Sequence, residues 1–295
     1  MLRIKHTAIF GILFFFCTIL SVLYAVDRRT KNGTHIIYQA AIGESMGKVF
    51  VHSEAKVTLE LPYFFSNLGE NEMTDYIFKI DRRLPYLLDA SGEKIFLVLR
   101  NPEVCFVFKN NLGSQHLGAG EYIFAGIEQG IWNRYVLTYI DDVQTSSFLK
   151  EEATATRPRM SYEASNLIRF SLDAPWVENV PGQGIGETIR FSTYDEEEGG
   201  FPAEKAVGFY VCNGFISFVR PDLYEKNSRV KEFKVTDIKT KKSKSVFLED
   251  TPNPQFIDIS EFQGTDVELE IKDVYPGTRW QDTCVAGIVL KRRKK

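Results

Sequence analysis

Three aromatic residues in the second half of the chain stand in polar, turn-rich sequence where they could hold a ligand. A flat aromatic ring packs against the apolar face of a pyranose, and planar polar side chains beside it pair with the sugar hydroxyls. The aromatic residues are Trp176, Tyr224 and Trp280, and the polar residues nearest to them in these segments are Glu178, Asn213, Arg229 and Asp282. These seven residues are the candidate carbohydrate site that the sequence predicts.

A structural role is the alternative for each of these residues. Trp176 is followed by Val177, as in a short strand that fills a core. Arg229 and Asp282 could form a buried ion pair that fixes two loops. The sequence leaves both interpretations open.

The sequence motifs give little indication of phosphate binding, metal binding or catalysis. Residues 182–186 read GQGIG, but strand-like sequence follows, so a tight turn is predicted rather than a phosphate loop before a helix. The acidic run at 195–198 lacks the spacing of a calcium loop and predicts a solvated hairpin loop. No C-x-x-C or H-x-x-x-H pattern occurs in the chain, and no G-x-S-x-G pattern occurs in its second half. No catalytic residue, cofactor or metal site is therefore predicted.

The elements that must position the candidate site are β-strands. Polar and apolar residues alternate at 56–61, 187–192 and 267–272, which is typical of strands with one buried face. In the second half, the residues expected to face a core are Ile189, Phe191, Val267, Leu269 and Ile271, with Phe233, Val235, Ile257 and Ile259. Short strands without convincing helices between them predict an all-β fold, with an antiparallel sandwich or jelly roll in this half.

An ordered series of motifs in the second half is specific enough to resemble a known family. The motifs are YEASNL (162–167), APWVE (174–178), GQGIGE (182–187), CNGF (212–215), KNSRVK (226–231), LEDT (248–251) and VYPGTRWQDTC (274–284). Together they resemble the discoidin-like module named from the translocation domain of a secreted NAD glycohydrolase toxin. This module is a relative of the F5/8 type C sandwiches and is also called the NADase-type glycan-binding domain.

The resemblance implies a galactose-binding-like jelly roll that binds carbohydrate. Modules of this kind occur on many exported bacterial proteins that have no NADase activity. The toxin's catalytic domain has no counterpart in the chain. One departure stands out, because the family usually has a short Asp-Gly loop where this chain has IRFS at 168–171.

The first residues predict export. Arg3 and Lys5 precede an uncharged apolar run at 8–26, which is typical of a cleaved signal peptide or of an uncleaved hydrophobic helix that anchors the chain in a membrane. The length of the run does not separate these two alternatives. Either one places the remaining chain in the periplasm, on a membrane or in the medium.

The chain divides into segments of different composition and residue pattern. The predicted parts are the leader at 1–26, a smaller β-rich domain of no recognised family at 34–148, a linker at 149–160, the discoidin-like domain at 161–290 and a basic tail at 291–295. The tail is expected to be frayed and solvated, or else to touch anionic lipid.

Charge and cysteine content set further limits. The net charge of −3 excludes a globally basic surface, so no nucleic-acid partner is predicted. Beyond the leader stand Cys105, Cys212 and Cys284, an odd number in apolar runs, which favours buried thiols over a bridge between Cys212 and Cys284.

The resulting prediction is an exported, non-catalytic protein that recognises a glycan or a cell-envelope polymer. The first alternative is a structural or assembly protein of the envelope whose sandwich binds another protein. A less favoured alternative is a hydrolase whose site lies in the N-terminal domain.

Overall fold

A computed structural model gives the architecture and describes most of the chain after residue 35. The described residues are 36–42, 48–53, 56–61, 72–109, 121–126, 130–155, 158–168, 170, 172–194 and 205–294. The leader and the acidic run at 195–198 lie outside these ranges, so the predictions made for them remain predictions. No helix within the described ranges is long and apolar enough to cross a membrane.

The first eight strands form a closed antiparallel barrel. They are β1 (Ile36–Ile42), β2 (Lys48–Ser53), β3 (Lys56–Leu61), β4 (Glu72–Asp81), β5 (Leu84–Leu88), β6 (Lys94–Arg100), β7 (Val104–Lys109) and β8 (Glu121–Gly126). Each strand pairs with the next, and β8 returns to pair with β1. Closure leaves no strand edge unpaired around the barrel.

Strands β6 and β7 are buried on both faces. On β6, Phe96 and Val98 point into the barrel, where they pack with Tyr38. The alternating residues Leu97 and Leu99 point outwards into a second apolar cluster. Burial on both sides explains why this strand reads as a continuous apolar run rather than as an alternating one.

The remaining strands build a sheet that folds around a second core. They are β9 (Tyr135–Tyr139), β10 (Asp141–Thr145), β11 (Lys150–Glu151), β12 (Met160–Ser161), β13 (Trp176–Val177), β14 (Thr188–Ser192), β15 (Gly208–Asn213), β16 (Ser228–Asp237), β17 (Ser243–Phe247), β18 (Gln255–Asp258), β19 (Asp266–Tyr275) and β20 (Thr283–Arg293). The main order is β10-β14-β19-β16-β20-β15-β18, while β9 and β13 also pair with β20, β17 pairs with β16, and β11 pairs with β12. The short helices α1 (Ile131–Arg134) and α2 (Asp222–Lys226) and a 3-10 turn at Ala164–Leu167 interrupt the strands.

The core of this second sheet contains the residues expected there. All nine predicted core-facing residues, from Ile189 to Ile271, are buried in one apolar cluster. The all-β prediction is confirmed. The turn predicted at 182–186 is also confirmed, since Gly182, Gly184 and Gly186 have positive φ and lead into β14.

The barrel packs against the outer face of β15 and β20. Tyr210 and Cys212 alternate with core residues on β15 and join the cluster that holds Phe106 and Phe108 of the barrel. The hydroxyl of Tyr86 donates a hydrogen bond across this interface to the Phe218 carbonyl at 3.0 Å. An apolar contact of this kind holds two domains in a fixed orientation.

The division between the domains differs from the predicted one. Strand β9 pairs with β20 and β10 pairs with β14, so residues 135–145 belong to the second sheet and not to the domain predicted at 34–148. The described residues of the predicted linker at 149–160 also join the second domain, because β11 pairs with β12 and the backbone N–H of Leu149 donates to the Val177 carbonyl at 2.9 Å. Local composition suggested a linker, but hydrogen bonding to a distant segment determines where these residues fold.

The basic tail is a strand rather than a frayed terminus. Lys291 is 4% exposed and forms an ion pair with Glu103 at 2.9 Å, and Arg292 is 6% exposed and donates to the Thr193 carbonyl at 2.8 Å. Lys294 lies over the Trp132 ring, 4.4 Å from its centroid. The prediction of a solvated tail is wrong for these residues, because β9 extends the pairing of β20 to Arg293.

The three cysteines in the described ranges are buried free thiols. Burial raises the pKa of the Cys105 thiol to about 12, and the charge of Arg100 opposes this shift. The pKa of Cys284 is raised as well, first by burial and then by the charges of Asp282 and Glu178. The thiols of Cys105 and Cys284 are therefore protonated and unreactive in the folded protein.

Candidate functional site

Three segments meet at one end of the second sheet, and we call residues 178–187, 222–227 and 276–283 together the loop end. The backbone N–H of Glu178 donates to the Thr283 carbonyl at 3.3 Å, and the Thr283 hydroxyl donates to the Gln183 carbonyl at 2.9 Å. The backbone N–H of Trp280 donates to the Lys226 carbonyl at 2.9 Å. These backbone bonds fix the three segments to one another.

Trp176 is a core residue. Its side chain is fully buried in the apolar cluster of the second sheet, and its indole N–H donates to the Ser147 carbonyl at 3.0 Å. A ring enclosed in this way cannot stack on a sugar. The prediction of Trp176 as a ligand contact is wrong, and the alternative of a core residue is correct.

Glu178 is buried and fixes two segments of the loop end to each other. Its carboxylate accepts hydrogen bonds from the backbone N–H groups of Thr283 at 3.2 Å and Val180 at 2.7 Å. Desolvation raises the pKa of Glu178, these two bonds lower it, and the charges of Asp282 and Glu187 add to the increase. A Cβ atom on Gly184 would lie 2.6 Å from Cγ of Glu178, so the glycine is needed for this close packing. Glu178 therefore supports the site without facing a ligand.

Asn213 joins two strands beneath the loop end. Its side-chain amide donates to the Val230 carbonyl at 2.6 Å, and its side-chain carbonyl accepts from the Val230 N–H at 3.0 Å. Asn213 is fully buried. Both halves of its amide are thus used inside the protein, which corrects its assignment as a ligand contact.

Arg229 and Tyr224 belong to a buried network centred on Asp250. Nε and Nη2 of Arg229 donate to the two carboxylate oxygens of Asp250 at 3.0 and 2.9 Å, and the Tyr224 hydroxyl lies 3.3 Å from Oδ1. Arg229 also lies over the Tyr224 ring, 5.4 Å from its centroid. Arg229 is therefore paired with Asp250 and not with Asp282, and neither Arg229 nor Tyr224 is available to a sugar.

The same network reaches the barrel. Arg83, in the turn between β4 and β5, donates to Oδ2 of Asp250 at 2.8 Å. Burial disfavours ionisation of Asp250, but the hydrogen bonds from Arg229 and Arg83 outweigh it and keep the pKa of Asp250 below its usual value. Nothing local in the sequence indicates this contact, because Arg83 and Asp250 are 167 residues apart.

Trp280 and Asp282 remain accessible at the loop end. Both are half-buried, and Arg279 lies over the Trp280 ring, 4.8 Å from its centroid. Among the described residues, the indole N–H of Trp280 has no acceptor and the carboxylate of Asp282 has no cationic partner. Desolvation raises the pKa of Asp282, and the charge of Glu151 adds to the increase. Of the seven predicted residues, these two are placed where they can meet a ligand.

The chemistry available at the loop end is recognition by stacking and hydrogen bonding. Trp280 offers a partly exposed aromatic surface and a free donor, and Asp282 offers acceptors for hydroxyl groups. Arg279 is a further candidate ligand contact that was not predicted. Its position directly before Trp280 could have indicated it. No group of three or more His, Cys, Asp or Glu side chains in the described parts of the chain is arranged to hold a metal ion.

A comparison with family models now identifies this sheet. The model of the NAD glycohydrolase translocation F5/8 type C domain matches residues 134–291, which is more than half of the chain. The protein belongs to this family. The F5/8 type C domain is a jelly-roll β-sandwich, and the expected resemblance is confirmed. None of the curated proteins matches the chain.

Membership in the family makes the F5/8 type C domain a module suited to binding carbohydrate or protein. The matching model describes a translocation-type domain and not a catalytic one. The match begins at Arg134, immediately before β9. This start agrees with the strand pairing that assigns residues 135–145 to the F5/8 type C domain.

Phe170, one residue of the segment 168–171, lies at the interface with the barrel. Phe170 is buried, and its ring centroid lies 5.0 Å from that of Phe106 and 5.9 Å from that of Phe108. A Cβ atom on Gly287 would lie 2.5 Å from the Phe170 ring, so β20 approaches this ring closely. Through Phe170, the F5/8 type C domain of this protein presents an aromatic residue to its neighbouring domain.

Proposed function

We propose that the protein is an exported, non-catalytic recognition protein whose F5/8 type C domain binds carbohydrate at the loop end. Trp280 packs against the apolar face of a sugar ring, and Asp282 accepts hydrogen bonds from its hydroxyl groups. The proposal rests on two half-buried side chains that lie in one loop. The indole N–H of Trp280 has no acceptor among the described residues, and the carboxylate of Asp282 has no cationic partner there.

The buried members of the predicted site support this role indirectly. Glu178, Asn213 and Arg229 use their polar groups to fix the loops, so Trp280 and Asp282 are held on a rigid base. A site that is ordered before binding loses less conformational entropy when a ligand arrives. This arrangement favours recognition of a rigid, hydroxyl-rich ligand.

The geometry at the loop end also favours a non-catalytic role. Glycoside hydrolysis uses two carboxyl groups that flank the scissile bond. Glu178 is fully buried and accepts two backbone hydrogen bonds, so it is not placed to act beside Asp282. The stretch from 134 to 291 contains no histidine that could act as an alternative acid or base.

Export and localisation belong to the same proposal. The uncharged run at 8–26 supports a leader that delivers the chain to the periplasm, to a membrane or to the medium. Mass spectrometry of the native N-terminus distinguishes a cleaved signal, which leaves Val26 or a neighbouring residue first, from an anchor that retains Met1.

Binding is tested with the purified full-length chain on an array of bacterial-envelope and host-surface oligosaccharides. We expect binding that is lost in Trp280→Ala and reduced in Asp282→Asn. Trp132→Ala is the matched control, since Trp132 is also half-buried but lies on α1, outside the loop end.

The absence of binding to any oligosaccharide would contradict the carbohydrate proposal. Equal loss of binding in Trp132→Ala would contradict the assignment of the site. Capture of an envelope protein that depends on Trp280, in the absence of glycan binding, would instead favour the alternative of an assembly protein.

A further inference from the structure

The barrel carries a cleft that the recognition function does not use. The cleft lies at the end of the barrel where β4 turns into β5 and β6 turns into β7, and its volume is about 720 Å³. Its apolar wall is formed by Phe78, Ile80, Pro85 and Val98. Ile80 is 62% exposed, which leaves a large apolar side chain facing solvent at the rim.

The ionisable residues at this cleft are all cationic. They are Lys79, Arg83 and Arg100. Arg83 is neutralised by Asp250 at 2.8 Å, whereas Lys79 and Arg100 have no carboxylate partner among the described residues. Lys79 lies on the face of β4 opposite to Phe78, since it pairs with Tyr86 of the outer face, so Arg100 is the uncompensated cation that faces the cleft.

Arg100 is held in place by neighbours that leave its charge unpaired. Its guanidinium lies over the Phe78 ring, 5.8 Å from the centroid, and its side chain hydrogen-bonds with the fully buried Tyr38. The Tyr38 hydroxyl in turn donates to the Asn101 carbonyl at 2.7 Å. A guanidinium fixed in this way can offer two parallel N–H donors to a planar or tetrahedral oxyanion.

The interior of the barrel limits how deep a ligand can go. Phe96, Leu87 and Cys105 are buried in the cluster that fills the lumen, and Val98 joins this cluster to the floor of the cleft. The barrel is thus packed by its own side chains rather than hollow. A ligand would lie across the mouth, with its charged group at Arg100 and its apolar part against Phe78 and Ile80.

We propose that this mouth binds a small amphipathic oxyanion, a ligand with one phosphate or carboxylate group on a short apolar body. The guanidinium of Arg100 selects the charged group, and the apolar wall selects the body. The site is separate from the loop end, and it gives the N-terminal barrel a binding role of its own.

The test uses isothermal titration calorimetry of the full-length chain in phosphatidylcholine nanodiscs, so that no detergent competes for the cleft. Hexyl phosphate and hexanoate are the anionic probes, and hexanol is the neutral probe of the same chain length. We expect saturable binding of at least one anion and binding of hexanol that is weaker by about tenfold or more. The tighter of the two anions identifies the head group.

Arg100→Gln is expected to weaken anion binding by about tenfold or more, since it removes the fixed guanidinium. Because Arg100 also contacts the buried Tyr38, Ile80→Ala is the second variant. It shortens an exposed apolar side chain of the cleft and should weaken binding of the anions by about threefold. Arg190→Gln, on β14 of the sandwich, is the matched control and should bind as the parent does.

Three results would overturn the proposal. The first is the absence of saturable binding of either anion at millimolar concentration. The second is equal affinity for hexanol and both anions. The third is unchanged affinity in both Arg100→Gln and Ile80→Ala.

Discussion

Replacement of Trp176 by alanine should strongly destabilise the F5/8 type C domain. The side chain is fully buried and donates a hydrogen bond to the Ser147 carbonyl at 3.0 Å. Truncation of a buried tryptophan costs about 3–5 kcal/mol, because apolar contacts are lost and a cavity remains. The backbone acceptor at Ser147 also loses its partner inside the protein. For a domain of this size, a decrease of about 3–5 kcal/mol in the free energy of unfolding corresponds to a decrease in Tm of roughly 6–20 °C.

The measurement is thermal unfolding of the full-length chain followed by circular dichroism in the strand region. Trp176→Phe keeps an aromatic ring but removes the indole N–H, so its Tm should fall between those of the parent and Trp176→Ala. Trp280→Ala is the matched control, because this ring is half-buried and its N–H bonds to no described residue. Its cost should be about 1 kcal/mol or less.

Two results would refute the reasoning. One is a decrease in Tm of less than about 2 °C for Trp176→Ala, which would mean that the ring is not part of the core. The other is a larger decrease for Trp280→Ala than for Trp176→Ala.

Three further predictions follow from other buried contacts. Asp250 has a lowered pKa in the folded protein, so its stabilisation is present above the unfolded pKa of about 4 and is lost as the pH falls through the folded value. Asp250→Asn should therefore reduce the loss of stability between pH 7 and about pH 3, measured as the change in the urea midpoint. Gly184→Ala should destabilise the protein by more than about 1 kcal/mol, since φ is 67° and the new Cβ would lie 2.6 Å from Cγ of Glu178. Phe170→Ala should cost about 3–5 kcal/mol by opening a cavity between the domains, measured by urea unfolding.

Each of these variants has a matched control in the same chain. The control for Asp250→Asn is Asp266→Asn, at an exposed position that should leave the acid dependence unchanged. The control for Gly184→Ala is Gly182→Ala, which also has positive φ but has open space around the new Cβ. The control for Phe170→Ala is Phe247→Ala, whose side chain is 68% exposed. A control that changed stability as much as its partner would contradict the corresponding argument.

The sequence predicted those strands that have one buried and one polar face. Val57 and Leu59, and likewise Ile189 and Phe191, alternate with polar residues, and all four are buried. Because side chains alternate between the two faces of a strand, a few neighbouring residues are enough to show which positions are buried. Closure of the barrel was not predictable in this way, because it depends on the pairing of β1 with β8, two strands far apart in the chain.

The candidate site was predictable in its general location but not in the role of each residue. Trp176 and Trp280 both stand in polar, turn-rich sequence, and only the three-dimensional structure shows that one ring is enclosed and the other is not. Arg229 was expected to pair with Asp282, yet its partner is Asp250, which also binds Arg83 of the barrel. A contact between two domains leaves no local signal in either segment.

The central claim is that carbohydrate binds at Trp280, and fluorine NMR of the full-length chain labelled with 5-fluorotryptophan tests it most directly. The chain has three tryptophans, Trp132, Trp176 and Trp280, so each resonance can be assigned by a single replacement with phenylalanine. The probe is the oligosaccharide that gives the strongest signal on the array. We predict that its addition shifts the Trp280 resonance saturably and leaves the other two unchanged. An unshifted Trp280 resonance under conditions in which the oligosaccharide binds would contradict the account.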